Sequence, residues 1–316
     1  EYRRQRQMCI RDSPNIVIVG NKKTFDMVEG FYGVGGERYV VGEGDFLALG
    51  HHKLRFSLIP MVHWPETMVT YDETEGILFS GDAFGCFGAL NGGVIDANIN
   101  TDIYWDEMVR YYSNIVGKYG APVQKALQKL QALKINAICS THGPVWTEEI
   151  PRVVRIYDRL SRYEAEEGVV IAYGTMYGNT AEMAEAIAEE LSKQGIRNIV
   201  MHNVSHTNHS YIIADVFKYR GLIVGCPTYN TQMYPEMEAL LNKLSAREIK
   251  GRYMGWFGSF TWASAAVKKI TEFNDKLKFE PVGNPIEMKH SMKSETYVQC
   301  KELAKAMADR LKADRK

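Results

Sequence analysis

Hydrophobic and polar positions change their period twice along this chain. Over residues 15–79, short apolar runs alternate with turns rich in Gly, Asp and Glu. That pattern predicts strands at 16–20, 38–42, 46–49, 54–61, 68–71 and 77–79. Beyond residue 100 the apolar positions recur three and four apart, which predicts helices at 103–116 and 123–133. A strand at 137–140 and a helix at 148–163 follow. From residue 169 strand and helix alternate to the end. Strands are expected at 169–173, 198–204, 221–225, 253–257 and 282–288, and helices at 181–194, 235–245, 263–276 and 295–312. Such alternation builds a parallel sheet covered on both faces, so the fold class is α/β.

The segment 164–168, E-A-E-E-G, is polar and ends in glycine. It separates a domain over 14–165, whose first half is a sheet, from a domain over 166–316. Residues 1–13 are basic, lack an apolar period and read as a non-native or disordered tail. The run Gly33-Val34-Gly35-Gly36 precedes a strand rather than a helix, so it reads as a turn and not a dinucleotide fingerprint. His51-His52 also reads as a turn between strands.

Composition narrows the class. Lys+Arg and Asp+Glu both number 38, which argues against nucleic acid or anionic membrane as the main partner. No apolar run reaches the length of a membrane span. Cys9, Cys86, Cys139, Cys226 and Cys300 are scattered and form no C-x-x-C pair. A disulfide framework and a four-cysteine metal cluster are therefore not expected, and a reducing cytoplasm is.

The stretch 169–191 carries the most chemistry. A buried-type strand runs into Gly174-Thr175-Met176-Tyr177-Gly178-Asn179-Thr180, and then Met183, Ile187 and Leu191 fall four apart. A polar loop between a strand and a helix N-terminus is an anion site, because free N–H groups and the helix dipole favour a phosphate. The loop has no Lys or Arg, so it suits a phosphate attached to a larger cofactor and held by neutral donors. Ligands of open α/β sheets sit beyond the strand carboxyl ends. The third strand is followed by Pro227-Thr228-Tyr229-Asn230, and the fourth by Ser259-Phe260-Thr261-Trp262. Hydroxyls, amides and large aromatics at three such loops suit the edge and faces of a flat ring. Five strands with this loop after the first fit a doubly wound sheet of order 2-1-3-4-5. His202, His206 and His209 lie on an expected polar loop without a carboxylate partner and read as solvent-exposed.

In the first domain three metal-competent residues follow three apolar strands: His63 in M-V-H-W-P-E-T-M, Asp82 in F-S-G-D-A-F-G and His142 in S-T-H-G-P. Imidazole and carboxylate together suit zinc, iron or manganese. Each residue alone reads as a loop position.

The T-x-x-G-N-T and P-T-Y-N loops resemble the flavin mononucleotide site of flavodoxin-like domains. The H-W-P-E-T-M, F-S-G-D-A-F-G and S-T-H-G-P motifs resemble the metallo-β-lactamase-like αββα domain of flavodiiron proteins, a family that fuses these two domains in this order. The resemblance covers residue 14 to the end. It implies that Thr175–Thr180 hold the FMN phosphate, that Tyr229 and Asn230 lie beside the isoalloxazine, and that Phe260 and Trp262 cover its other side. It further implies that His63 and His142 each ligate one iron of a di-iron centre, that Asp82 bridges the pair, and that Tyr112 lines the substrate pocket. The implied activity is reduction of dioxygen to water, of nitric oxide to nitrous oxide, or both, in a head-to-tail homodimer fed by rubredoxin or a reductase.

One departure is large. The family's H-x-E-x-D-H stretch, which supplies four further ligands, is absent from this sequence. The expectation is an amino-terminally truncated first domain that leaves the chain with flavin but little or no di-iron. Two rivals remain: a metal-dependent hydrolase fused to a flavodoxin-like domain, and an FMN electron-transfer module whose first domain is a scaffold.

Overall fold

The computed structural model describes residues 15–33 and 36–315. The expected tail at 1–13 and the middle of the 33–36 turn lie outside them. The chain forms two compact units. One takes the chain up to Met108 and again Tyr119–Ser161, and the other takes Val109–Lys118 and the chain from Arg162 onward.

The first unit opens with β1 (Val17–Gly20), α1 (Lys22–Tyr32) and β2 (Glu37–Val40), and β1 pairs with β2 in parallel. A parallel pair requires a crossover, and α1 supplies it. The strand pattern did not foresee this helix. Its signal is Asn21, whose Oδ1 accepts from the N–H groups of Lys23 at 3.0 Å and Thr24 at 3.1 Å.

Next come β3 (Phe46–Leu49), β4 (His52–Leu58), β5 (Met68–Asp72) and β6 (Ile77–Gly81), then α2 (Asp102–Tyr111) and α3 (Gly120–Leu130). The unit ends with β7 (Ala137–Ser140), β8 (Val145–Trp146) and α4 (Ile150–Ser161). Strands β3 to β8 form one sheet in sequence order, antiparallel except for the parallel β6–β7 pair. Strands β4, β6 and β7 therefore all run toward the same edge. His52 belongs to β4 rather than to a turn, and its Nδ1 lies 2.7 Å from Asp72 Oδ2. Asp96, 4% exposed, accepts from the backbone of Thr147, Glu148 and Glu149 and so ties down the start of α4.

The helix expected at 103–116 is interrupted. After α2 the chain widens into a π turn over Tyr112–Val116, closed by the Gly117 N–H on the Tyr112 carbonyl at 2.7 Å. This segment belongs to the second unit. There Asn114 Nδ2 donates to Ser210 O at 3.0 Å and Arg247 Nε to Ser113 O at 3.1 Å.

The second unit comprises β9 (Glu166–Tyr173), α5 (Asn179–Lys193), β10 (Ile199–Asn203), α6 (His209–Lys218), β11 (Tyr219–Tyr229), β12 (Gln232–Met233) and α7 (Pro235–Ser245). It continues with β13 (Tyr253–Phe260), α8 (Ala266–Leu277), β14 (Glu280–Pro281), β15 (Ile286–Lys289) and α9 (Ser294–Ala313). Its sheet has the order β10-β9-β11-β13-β14, with β15 also on β13, all in parallel. This is the expected 2-1-3-4-5 order. The fifth strand is split, with Gly283 at φ 69° between its two pieces.

Side-chain alternation explains the layers. Val169, Ile171, Ile223 and Phe257 pack with Met183, Ile187 and Leu191 of α5 and with Leu303 and Met307 of α9. Their neighbours Val170, Ala172, Leu222 and Val224 point to the opposite face and are also fully buried.

Helix α6 takes the end of the expected polar loop of histidines, while His206 stays exposed in the turn before it. His202 sits in β10, half-buried, with Nε2 2.7 Å from Asp215 Oδ2 on α6. His209 begins α6, and burial, with Lys243 beside it, holds its imidazole below the ordinary value. Asn208 caps the helix by accepting from Ser210 N at 2.9 Å. Among the described residues no helix is long and apolar enough to cross a membrane.

Candidate functional site

At the carboxyl end of the second unit's sheet lies a cleft of about 280 Å³. Thr175, Met176 and Tyr177 line it from the first loop, and Asn179 and Thr180 from the first turn of α5. Pro227, Thr228 and Tyr229 come from the end of β11, which runs further than the sequence predicts, with Asn230 in the turn after it; Ser259 and Phe260 come from the end of β13, with Thr261 and Trp262 in the third loop. Of the expected cofactor residues, Gly178 is outside the lining. It sits at the N-cap of α5 with φ 92°, a conformation that glycine adopts without strain.

The first loop is built to offer donors. Its own Thr175 Oγ1 accepts from Gly178 N at 3.1 Å, which curls the backbone around. No side chain caps α5, so its leading N–H groups face the loop free of a side-chain acceptor. Thr180 Oγ1 lies 2.8 Å from Ser259 Oγ. That buried contact joins the helix start to the end of β13.

The second loop is a hairpin. Asn230 and Thr231 hold φ 47° and 56°, and Tyr229 pairs with Gln232, as in a two-residue turn of the I′ kind. Thr228 has a second duty that the motif does not reveal. Its Oγ1 accepts from the N–H groups of Ala265 and Ala266, each at 3.1 Å, and so holds the start of α8.

The third loop is fixed at its far end, where Ser264 Oγ donates to Glu287 Oε1 of β15. Its tip is open. Trp262 is 88% exposed and Tyr177, across the cleft, 87%. These rings are not core residues. Cys226, next to the cleft, is fully buried, and burial pushes its thiol up to about 12, which keeps it unreactive.

His290 lines the same cleft; it follows the last strand, whose carboxyl end lies at the same edge, and carries no motif of its own. It stands just past β15 with φ 68°, and its N–H donates to the Phe260 carbonyl at 2.9 Å. Thr231 and Ala263 complete the lining.

In the first unit the three metal candidates do meet. His63 lies in the β4–β5 connection, Asp82 directly follows β6, and His142 follows β7 by two residues. His63 Nε2 is 3.1 Å from Asp82 Oδ2, and His142 Nε2 is 3.5 Å from Asp82 Oδ1. Thr141 Oγ1 donates to the same Oδ1. The supporting loops are pinned from below, where Trp146 Nε1 donates to Phe84 O at 3.1 Å and Tyr157 OH to Gly85 O at 3.0 Å. Met61 and Phe84, near the candidates, have φ 65° and 64°. Both imidazoles thus face the one carboxylate. Among the described residues no three His, Cys, Asp or Glu side chains form a group that could hold a metal ion.

Tyr112 is fully buried and packs edge-on against Phe217, with ring centroids 6.3 Å apart. The structure thus places it among the buried residues of the second unit, where it packs against α6.

A β-sheet unit of the metallo-β-lactamase kind and a flavodoxin-like unit in one chain define a two-unit flavoprotein class. Comparison with known proteins agrees. The Flavodoxin family matches residues 171–312, and the family described as ODP family beta lactamase matches residues 10–143. An uncharacterized protein of Methanocaldococcus jannaschii is 31% identical over 297 residues, spanning 93% of this chain and 75% of that protein. A nitric oxide reductase of Moorella thermoacetica is 28% identical over 302 residues, spanning 94% and 75%. Among solved structures, the rubredoxin oxygen:oxidoreductase of Desulfovibrio gigas matches with TM-score 0.90 and 26% identity, over 95% of this chain and 75% of that one. The flavodiiron protein of Giardia intestinalis also gives 0.90 and 26%, over 94% and 74%. This chain belongs to the flavodiiron proteins.

Proposed function

We propose that this chain binds FMN in the cleft of its second unit and serves in the flavodiiron reaction, the reduction of dioxygen or nitric oxide. The observation that carries the reading is the convergence of three strand ends on one cleft. There an α5 N-terminus without a side-chain cap, neutral hydroxyl and amide donors and exposed aromatic rings come together.

These residues fit FMN. The free N–H groups of α5, with Thr175, Asn179 and Thr180, suit its phosphate. Tyr229 and Trp262 offer faces for a flat ring, and Asn230 and the loop backbone offer polar atoms for its edge. When bound, the flavin supplies a carrier that accepts two electrons and passes them on singly. The protein's share is to bind and orient that carrier and to keep water from one of its faces. Electrons would come from an external donor such as rubredoxin or a reductase, and a head-to-tail homodimer in a reducing cytoplasm is the setting we expect.

The family also implies a pair of irons. We propose that His63, Asp82 and His142 do not hold two irons unaided. That favours a second reading, in which this chain acts as an electron-transfer module. Its support is that both imidazoles turn to the Asp82 carboxylate.

Titration of flavin-free protein with FMN, followed by flavin fluorescence, tests the cofactor reading. One FMN bound per chain is expected, and no binding at micromolar concentrations would overturn it. Iron analysis after anaerobic loading with ferrous iron tests the second point. Fewer than two irons per chain are expected, and two irons with rapid oxidation of reduced flavin by dioxygen would favour the full reductase.

A further inference from the structure

Among the described residues, His290 is the one side chain lining the cleft that can carry a positive charge. The others are Thr, Ser, Asn, Met, Pro, Ala and aromatic residues. The first loop likewise has no Lys or Arg. A phosphate in this cleft would otherwise meet only neutral donors.

The backbone shows how the imidazole is presented. Strand β15 runs beside β13, with Lys289 opposite Phe260. One residue later the chain turns into the left-handed region, φ 68°, while the His290 N–H stays bonded to the Phe260 carbonyl. That turn lets the side chain line the cleft instead of following the strand. Glycine is the residue that takes this conformation without cost, and histidine takes it more readily than most others. The imidazole itself is exposed.

We propose that His290 is a cofactor-binding residue whose imidazolium supplies the cleft's positive charge to the phosphate of FMN. The inference rests on the FMN reading above. The loops across the cleft bring Tyr177 and Tyr229 as their titratable side chains. On its own strand and the turn after it stand Glu287, Lys289 and Lys293, and Glu287 already accepts from Ser264. In the lining itself no carboxylate competes for the imidazolium.

The test is FMN affinity, read by flavin fluorescence at pH 5.5 and pH 8.5, for the unmodified chain and for His290→Gly and His290→Lys. Glycine suits φ 68° and removes only the imidazole, so loss of fold does not confound the result. Comparing proteins at the same pH cancels the ligand's own titration. At pH 5.5 His290→Gly should bind FMN about fivefold more weakly than the unmodified chain, the order expected for one partly exposed charge pair. At pH 8.5 His290→Lys, whose ammonium stays charged, should bind FMN more tightly than His290→Gly. Riboflavin, which lacks the phosphate, should bind all three proteins equally at both pH values. Equal FMN affinities for the Gly variant and the unmodified chain at pH 5.5, or an equal gap with riboflavin, would overturn the assignment. Failure of the unmodified chain to bind FMN at all would instead remove the cofactor reading, and this inference with it.

Discussion

Thr180 Oγ1 and Ser259 Oγ lie 2.8 Å apart, buried, and each belongs to a different wall of the flavin cleft. One hydroxyl starts α5 and the other ends β13, so this bond sets the spacing between the phosphate loop and the aromatic loop. Thr180→Val keeps the shape and strands the Ser259 hydroxyl. It should cost about 2 kcal/mol in urea unfolding and lower FMN affinity severalfold.

Trp262 should behave in the opposite way. At 88% exposure it contributes little to folding. Trp262→Ala should change stability by less than about 0.5 kcal/mol. Loss of its ring face should weaken FMN binding by about tenfold, measured by the same fluorescence titration. Equal affinity for FMN would mean that the ring is not used.

Asp96 makes the first unit acid-sensitive. Burial alone would raise its pKa, but the Thr147 hydroxyl and the backbone N–H groups of Glu149, Thr147 and Glu148 outweigh it and hold the carboxyl below its ordinary value. A depressed carboxyl stabilises the fold above its unfolded pKa, and that stability is lost as pH falls through the folded one. Asp96→Asn should therefore be less stable at pH 7 by about 2–3 kcal/mol, as for hydrogen bonds to a charged acceptor. Its stability should also fall less steeply than that of the unmodified chain below about pH 4, followed by circular dichroism.

Arg252 is 1% exposed and has carbonyls where a carboxylate is usual. Its Nε and Nη2 donate to Val216 O at 2.7 Å and Phe217 O at 2.8 Å, and Nη1 to Tyr163 O at 2.9 Å. Burial, with Arg220 nearby, brings the guanidinium down to about 9, so it stays charged at neutral pH and meets the negative end of α6. Arg252→Met should cost about 3–5 kcal/mol, read from the urea midpoint, because the carbonyls lose their donors together. Arg252→Lys should recover little of it, since an ammonium cannot reproduce the fork.

Much of this architecture was legible because burial follows period. Met183, Ile187 and Leu191, spaced by four, are all fully buried, and the helix expected at 235–245 has the bounds Pro235–Ser245, with proline at its first turn. Helix α6 carried the same kind of signal in Ile212, Ile213, Val216 and Phe217, behind the Asn208 cap. The polar run before it hid that stripe.

At the candidate site, sequence position located the loops, since each follows a strand that ends at the same edge. It did not reveal how the loops hold one another. The Thr228 bond to the start of α8 and the place of His290 both depend on strands brought together in space. The same is true of His63 and His142, whose shared contact with Asp82 no single motif expresses.

The bare start of α5 has a consequence for the behaviour of the whole second unit. A helix of this length with no side-chain cap leaves part of its folding free energy for an anion to supply. Flavin loading and unfolding are then one linked equilibrium. A free concentration a hundredfold above the dissociation constant adds about 2.7 kcal/mol, because the ligand binds the folded chain alone. The melting temperature of this protein is thus a gauge of its flavin supply, and its lifetime under heat or protease should lengthen as FMN is added.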